Sequence, residues 1–214
     1  MSERVLLLHA LARRPASLSP LAQRLRAAGF ETLIPAYPSR RQTIFDCAHG
    51  LAAEVSAFAA RVERVHFVGH SMGGLVARAC VALARPANFS RMVTLGTPHG
   101  GSELAALLVR NPLFRAFYGP AFEELTVAAS PALNARLGPV DFPLGCIAGR
   151  RALNLLAQRF ILPRPNDGAV SVAAAQAPGM ADHRVVDCDH TFLPSHPPTM
   201  ALVSAFLTQG RFPE

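Results

Sequence analysis

Chemistry in this chain is most visible in Gly69-His70-Ser71-Met72-Gly73, a G-x-S-x-G pentapeptide. It lies between a β-branched and aromatic run (RVHFVG, 64–69) and a helical pattern (MGGLVARACVALA, 72–84). A Gly-rich turn at such a junction has two uses. It cradles a phosphate on its backbone N–H groups, or it pushes a serine hydroxyl out as a nucleophile. The phosphate reading lacks its partners, because no Lys-Ser/Thr pair follows the glycines and the spacing is not G-x-G-x-x-G. Pentapeptides of this form also occur in ordinary turns, so the strand–turn–helix setting is what favours the nucleophile. There Ser71 sits on strained backbone with its Oγ projecting from the sheet's C-terminal edge. Side chains at 69 and 73 would collide with the turn or the facing backbone. The turn also places Ser71 and the Met72 N–H at a helix N-terminus, which favours developing negative charge.

Serine at its free pKa is a poor nucleophile, so a base must take its proton and a third group must orient that base. These partners are expected downstream, acid before histidine, at the ends of later strands. Of eight histidines, His9, His66 and His183 fall in or at the start of expected strands and His49 in a helix. His70 is expected to point away from the serine, and His99, in GTPHGGS, to shape its loop. His190 and His196 remain, in VVDCDHTFLPSHPPTM. His190 stands first because it directly follows the last expected strand, whereas His196 opens the final helix. For the acid, Asp167 in RPNDGAVSV lies in a Pro/Asn/Gly turn. Asp141, Asp182, Asp187 and Asp189 compete with it, and a carboxylate that only caps its own loop is the plain alternative. The oxyanion needs two backbone donors. Met72 N–H is one, and Leu11 N–H, in the loop after the first strand, is the other. The cluster Asp182, His183, Asp187, Cys188, Asp189 and His190 fits no zinc spacing, and an alternating strand sends its members to opposite faces.

The elements that must position these groups alternate short apolar runs with longer helical patterns, the mark of βαβ units and a mainly parallel sheet. Strands are expected over 4–9, 31–37, 64–69, 91–96, within 142–150 and over 183–189; helices over about 17–28, 43–62, 72–84 and 199–208. RVLLLH is apolar almost throughout, as a strand buried on both faces should be. Residues 97–141, with Phe114, Phe117, Tyr118 and Phe122 among several prolines, are too long for a simple crossover and read as a small helical cap. The aromatic stretch 111–122 is expected to line an acyl pocket that favours short- to medium-chain acyl groups, with ordinary core packing under the cap as the alternative. No linker or repeat supports a second domain, so residues 1–214 are expected to form one.

Half of the 214 residues are apolar and 16% are charged, which excludes global disorder. All 21 basic residues are arginine, giving a formal charge of +7. They are scattered, in pairs at most, and Trp is absent, so nucleic-acid binding is not expected. The N-terminal apolar run is too short for a signal core or a membrane span. The four cysteines are widely spaced, and free thiols in a cytoplasmic protein are the expectation.

The segments LLLHALARRPASLSPLAQRLRAAGFETLIPAYPS, GHSMGG, TLGTPHGGSELA, NDGAVSV and DHTFLPSHP together resemble the α/β-hydrolases, at their small, lid-poor bacterial lipase/esterase end. The likeness covers nearly the whole chain. It implies a minimal six-stranded, mainly parallel sheet in the order 2-1-3-4-5-6, with helices on both faces and a short helical cap insertion within 97–141. It makes Ser71, Asp167 and His190 a triad and implies no metal or organic cofactor. The implied activity is cleavage of carboxylic esters of short- to medium-chain acyl groups through an acyl-enzyme. Small-molecule acyl esters are the expected partners, without nucleic acid or integral membrane association. Thioesterase, amidase and acyltransferase share the triad, and a catalytically silent ligand-binding homologue is a further alternative. One departure stands out: the family's His-Gly after the first strand is here His9-Ala10. If that position requires positive φ, alanine costs roughly 1 kcal/mol and reshapes the oxyanion hole around Leu11.

Overall fold

In a computed structural model, which describes residues 3–152 and 162–213, six parallel strands form one sheet. They are β1 (Glu3–Leu8), β2 (Glu31–Leu33), β3 (Arg64–His70), β4 (Phe89–Leu95), β5 (Leu144–Gly149) and β6 (Asp182–Val186). Their order, β2-β1-β3-β4-β5-β6, is the expected one. The strand alternation sorts side chains into two cores. Leu6, Leu8, Phe67 and Met92 pack under α2 (Ile44–Ala59) and α3 (Met72–Ala84). Val5, Leu7, Val68 and Val93 pack on the opposite face, under α1 (Ser19–Ala27) and the final helix, α8 (Pro197–Gln209). All eight strand residues are buried, so the continuous apolar runs reflect a sheet covered on both sides.

Element ends shift for local reasons. The second strand stops at Leu33 rather than 37, because Pro35 has no N–H for a ladder and β2 is the sheet's edge. The helix expected over 43–62 is α2, opened by a capping box in which Thr43 and Asp46 exchange side-chain and backbone hydrogen bonds. The final helix begins two residues earlier than expected, since Pro197 and Pro198 occupy first-turn positions where a missing N–H costs nothing.

Residues 97–141 do form a cluster of short helices: α4 (Glu103–Leu108), α5 (Pro112–Tyr118), α6 (Pro120–Glu124) and α7 (Ser130–Leu137). Three of the five prolines of this segment start helices: α5, α6 and α7 each carry one at the first or second position. Ser102 and Asn111 cap α4 and α5 through Ala105 N–H and Leu113 N–H, at 3.1 and 2.9 Å.

The cap docks on the turn before α2 through Gly119, whose φ is +77°. A Cβ there would run into the Arg40 carbonyl. Gly119→Ala is therefore expected to lower stability by roughly 2 kcal/mol or more, from left-handed strain plus the backbone clash, measured by urea unfolding of parent and variant.

Candidate active site

Ser71 follows the last residue of β3 with φ 53° and ψ −123°, outside every favoured region for an L-residue. Three hydrogen bonds hold it there. Its N–H continues the sheet to Leu95 O at 2.8 Å, and its carbonyl accepts from Gly74 N–H at 3.0 Å and Thr97 Oγ1 at 2.9 Å. Backbone in such a conformation costs roughly 1–3 kcal/mol and persists only where surroundings over-determine it. The flanking glycines behave as the pentapeptide argument requires. A Cβ on Gly69 would enter the backbone of Gly73 and Gly74, and one on Gly73 the carbonyl of Leu8.

The acid and the histidine arrive from the segments that follow the last two strands, β5 and β6. Asp167, 1% exposed, directs Oδ2 at His190 Nδ1, 2.8 Å away. Its Oδ1 accepts the N–H groups of Ala169 and Val170 at 3.0 and 2.8 Å. Loop capping and histidine orientation thus coexist on one carboxylate, one oxygen for each. The His190 N–H returns to Asp167 O at 3.0 Å, so the two loops are joined twice. Burial pulls the imidazolium of His190 down, but the charge and hydrogen bond of Asp167, helped by Asp189, outweigh it and leave its pKa above the ordinary 6.5.

The competing groups are engaged elsewhere. Asp141 pairs with Arg85 and Asp187 with Arg150, both at the surface. Asp182 holds Arg184 and Phe212 N–H, and Asp189 accepts Thr191 N–H. His196 caps α8 and meets Thr199 Oγ1 at 3.1 Å. His99 shapes its loop, as expected: fully buried, it lies between Arg78 Nη1 at 3.3 Å and Thr94 Oγ1 at 3.2 Å.

Ser71 and His190 open onto one cavity of about 410 Å³, shared with Leu11 and Arg13 on one side and Leu104, Phe117, Tyr118 and Phe122 of the cap on another. Three of the four aromatic residues of the cap therefore line it; Phe114 stays behind, stacked on Tyr118. A larger groove, about 530 Å³, lies between α2 and α3, with six alanines among its described lining and neither Ser71 nor a histidine there. The Met72 amide, first in α3, belongs to the N–H groups that no helix can satisfy internally. Leu11 sits in a turn closed by Arg13 N–H to Ala10 O at 3.1 Å. Positive φ falls on Ala12 (56°) and not on Ala10, so alanine at position 10 incurs no left-handed strain.

Two residues depart from expectation or escape it. His70 does not point away from the serine's surroundings. Its buried ring lies 5.1 Å from that of His190 and its Nε2 is 3.0 Å from His190 O. Burial, then the charge of His190, holds its pKa well below 6.5, so it is neutral and donates that bond. Gly96, with φ +54°, allows the Asp–His contact: a Cβ there would stand 2.9 Å from Asp167 Oδ2 and 3.0 Å from His190 Nδ1. A glycine directly after the strand that pairs with β3 was the available signal.

Asp167→Asn keeps an acceptor for Ala169 and Val170 but removes the charge that raises His190. The His190 titration midpoint is expected above 6.5 in the parent and lower in the variant, followed by NMR of the imidazole ring. An unchanged midpoint contradicts the electrostatic account.

A family model described as a PGAP1-like α/β domain matches residues 42–110, the stretch that holds the Ser71 turn. Comparison with curated proteins finds no match. Among solved structures, mature lipase BlEst2 from Bacillus licheniformis is similar over 97% of this chain and 91% of its own, at 19% identity and a TM-score of 0.78. The metagenomic carboxyl esterase MGS0156 is similar over 99% of this chain and 71% of its own, at 19% identity and a TM-score of 0.71. The pyrethroid hydrolase PytH covers 98% of both chains, at 13% identity and a TM-score of 0.66. With its six-stranded order and these structural likenesses, this chain has the α/β-hydrolase fold.

Proposed function

We propose that this chain is a serine hydrolase that cleaves carboxylic esters through an acyl-enzyme, with Ser71 as nucleophile, His190 as general base and acid, and Asp167 as its orienting carboxylate. The observation that carries this reading is the 2.8 Å His190–Asp167 pair opening on the same cavity as the strained Ser71. Asp167 fixes the tautomer with the proton on Nδ1, which leaves Nε2 free to take the hydroxyl proton. The tetrahedral oxyanion is received by the Met72 amide, backed by the α3 dipole, and by the Leu11 amide. Protonated His190 then gives its proton to the leaving alcohol, and water repeats the sequence on the acyl-enzyme.

The apolar cap side of the cavity supports acyl chains of short to medium length, since about 410 Å³ accommodates a small ligand rather than a long chain. Similarity to a lipase and an esterase supports the ester class. In this reading residues 1–214 act as one catalytic domain with 97–141 as its cap. Among the described residues no helix is long and apolar enough to cross a membrane. Four buried, unpaired thiols support a reducing compartment such as the cytoplasm.

Ser71→Ala is expected to lower kcat for short-chain p-nitrophenyl esters by roughly 10⁴-fold or more and to abolish labelling by a fluorophosphonate. Equal turnover and labelling in both proteins would overturn the assignment. The base must be neutral to accept a proton, so kcat/KM of the parent should rise with pH through one ionisation above 6.5 and then level. A profile flat between pH 5 and 9 contradicts His190 as the base.

A further inference from the structure

The cavity lining divides by chemistry. Cap residues make one wall apolar, and no Asp or Glu is among the described residues that line the cavity. Among the described lining residues, Arg13 is the one charged side chain besides the two histidines. It belongs to the turn that carries the Leu11 amide, and its Nη2 lies 3.4 Å from Thr191 Oγ1. Thr191 directly follows His190, so this contact ties the guanidinium beside the imidazole. The charge is felt there: Arg13 lowers the pKa of both His190 and His70. Among the described residues no carboxylate forms an ion pair with Arg13. The nearby Asp189 accepts the Thr191 N–H at 2.9 Å. Arg40, which does not line the cavity, stacks its guanidinium 4.4 Å from the centre of the Phe117 ring.

Resting on the proposed ester hydrolysis, we infer that Arg13 is a specificity-determining residue for esters whose alcohol portion carries an anionic group, a phosphate or a carboxylate. The direction follows from the reaction. His190 returns its proton to the oxygen of the departing alcohol, so that alcohol must lie over the imidazole. What extends beyond it meets Thr191 and Arg13, while the acyl chain occupies the apolar wall of α4–α6. An exposed guanidinium with no acid partner gains an ion pair without giving one up, and its fork suits either oxyanion. The same cation penalises protonated His190, which further favours a substrate that brings the compensating charge.

The test uses butanoate esters of three alcohols: 2-hydroxyethyl phosphate, 3-hydroxypropanoate and 1-propanol. The readout is the ratio of kcat/KM for each anionic ester to that for the propyl ester, in the parent, Arg13→Gln and Arg13→Lys. The parent ratio is expected to exceed one and to fall about fivefold or more in Arg13→Gln, mainly through KM. Lysine should restore part of it, and added salt should shrink it. The phosphate and carboxylate arms identify which anion is preferred, and a preference for either supports the inference. Equal ratios in parent and Arg13→Gln, with the propyl ester still hydrolysed, overturn it alone. Failure of the parent to hydrolyse any of the three esters overturns the proposed function and this inference together.

Discussion

The site depends on one close approach of backbone to backbone. Position 73 has no side chain, so the first turn of α3 rests against the carbonyl of Leu8 at the end of β1. Position 69 likewise lets the start of α3 fold back over the end of β3. Between them Ser71 is held at φ 53°, a conformation that neither neighbour would tolerate with a Cβ in place. Because β1 and β3 are adjacent, with Leu8 in register with Gly69, this approach fixes more than the serine. It sets the distance from the α3 N-terminus to the turn after β1, the two sources of the proposed oxyanion amides. It also brings Arg13 to the cavity edge. The local strain is offset by two cores that cover the sheet on both faces.

The electrostatics rest on the same economy of space. A carboxylate as buried as Asp167 is tolerable only with its oxygens satisfied, and two amides on Oδ1 with an imidazole on Oδ2 achieve that. Each bond needs a loop to come close, and glycine permits it. Gly96 keeps clear of the Asp–His contact, and Gly149 keeps clear of Asp167 Cβ, which a side chain there would meet at 2.8 Å. His70 completes the arrangement as a neutral donor to the His190 carbonyl. A charged imidazole in its place would oppose the imidazolium that the proposed mechanism forms on His190.

Much of this was legible in the residues alone because the responsible signals are local. A doubly buried strand must be apolar throughout, and RVLLLH is. A nucleophile turn must have glycines two residues either side, and both are present. NDGAVSV announces a turn, and His190 follows the last strand after only three residues, since β6 ends at Val186 rather than at 189. What escaped depends on which surfaces meet. Gly96, His70 and Arg13 matter because β3, β4 and the loops after β1 and β6 converge, and no spacing along the chain encodes that convergence. Strand β2 was overextended because ETLIPAY is apolar enough to read as strand, while Pro35 removes the N–H on which pairing depends. Nor does spacing place the strain of the loop after β1: its positive φ falls on Ala12, two residues beyond Ala10.

The cap is tied to this frame unequally along its length. At one end, buried Arg78 of α3 donates to Asn134 Oδ1 and Gly138 O, both at 2.9 Å, and to His99 Nδ1 at 3.3 Å. His99 can accept there because burial, reinforced by the Arg78 charge, pushes its pKa down to about 3 and keeps it neutral. Its other nitrogen then donates to Thr94 Oγ1, whose hydroxyl in turn reaches Cys146 Sγ at 3.4 Å. Three hydrogen bonds from Arg78 thus accommodate a buried cation with no carboxylate among the acceptors named, and α7 is fixed to α3 and the sheet. At the other end α5 buries no residue; Leu113 is 78% and Phe117 51% exposed. Local stability follows buried contact, so α7 shares the stability of the sheet while α5 does not. Phe117 and Tyr118 therefore form the compliant wall of the cavity, opposite a rigid one built from Ser71, His190 and the turn after β1.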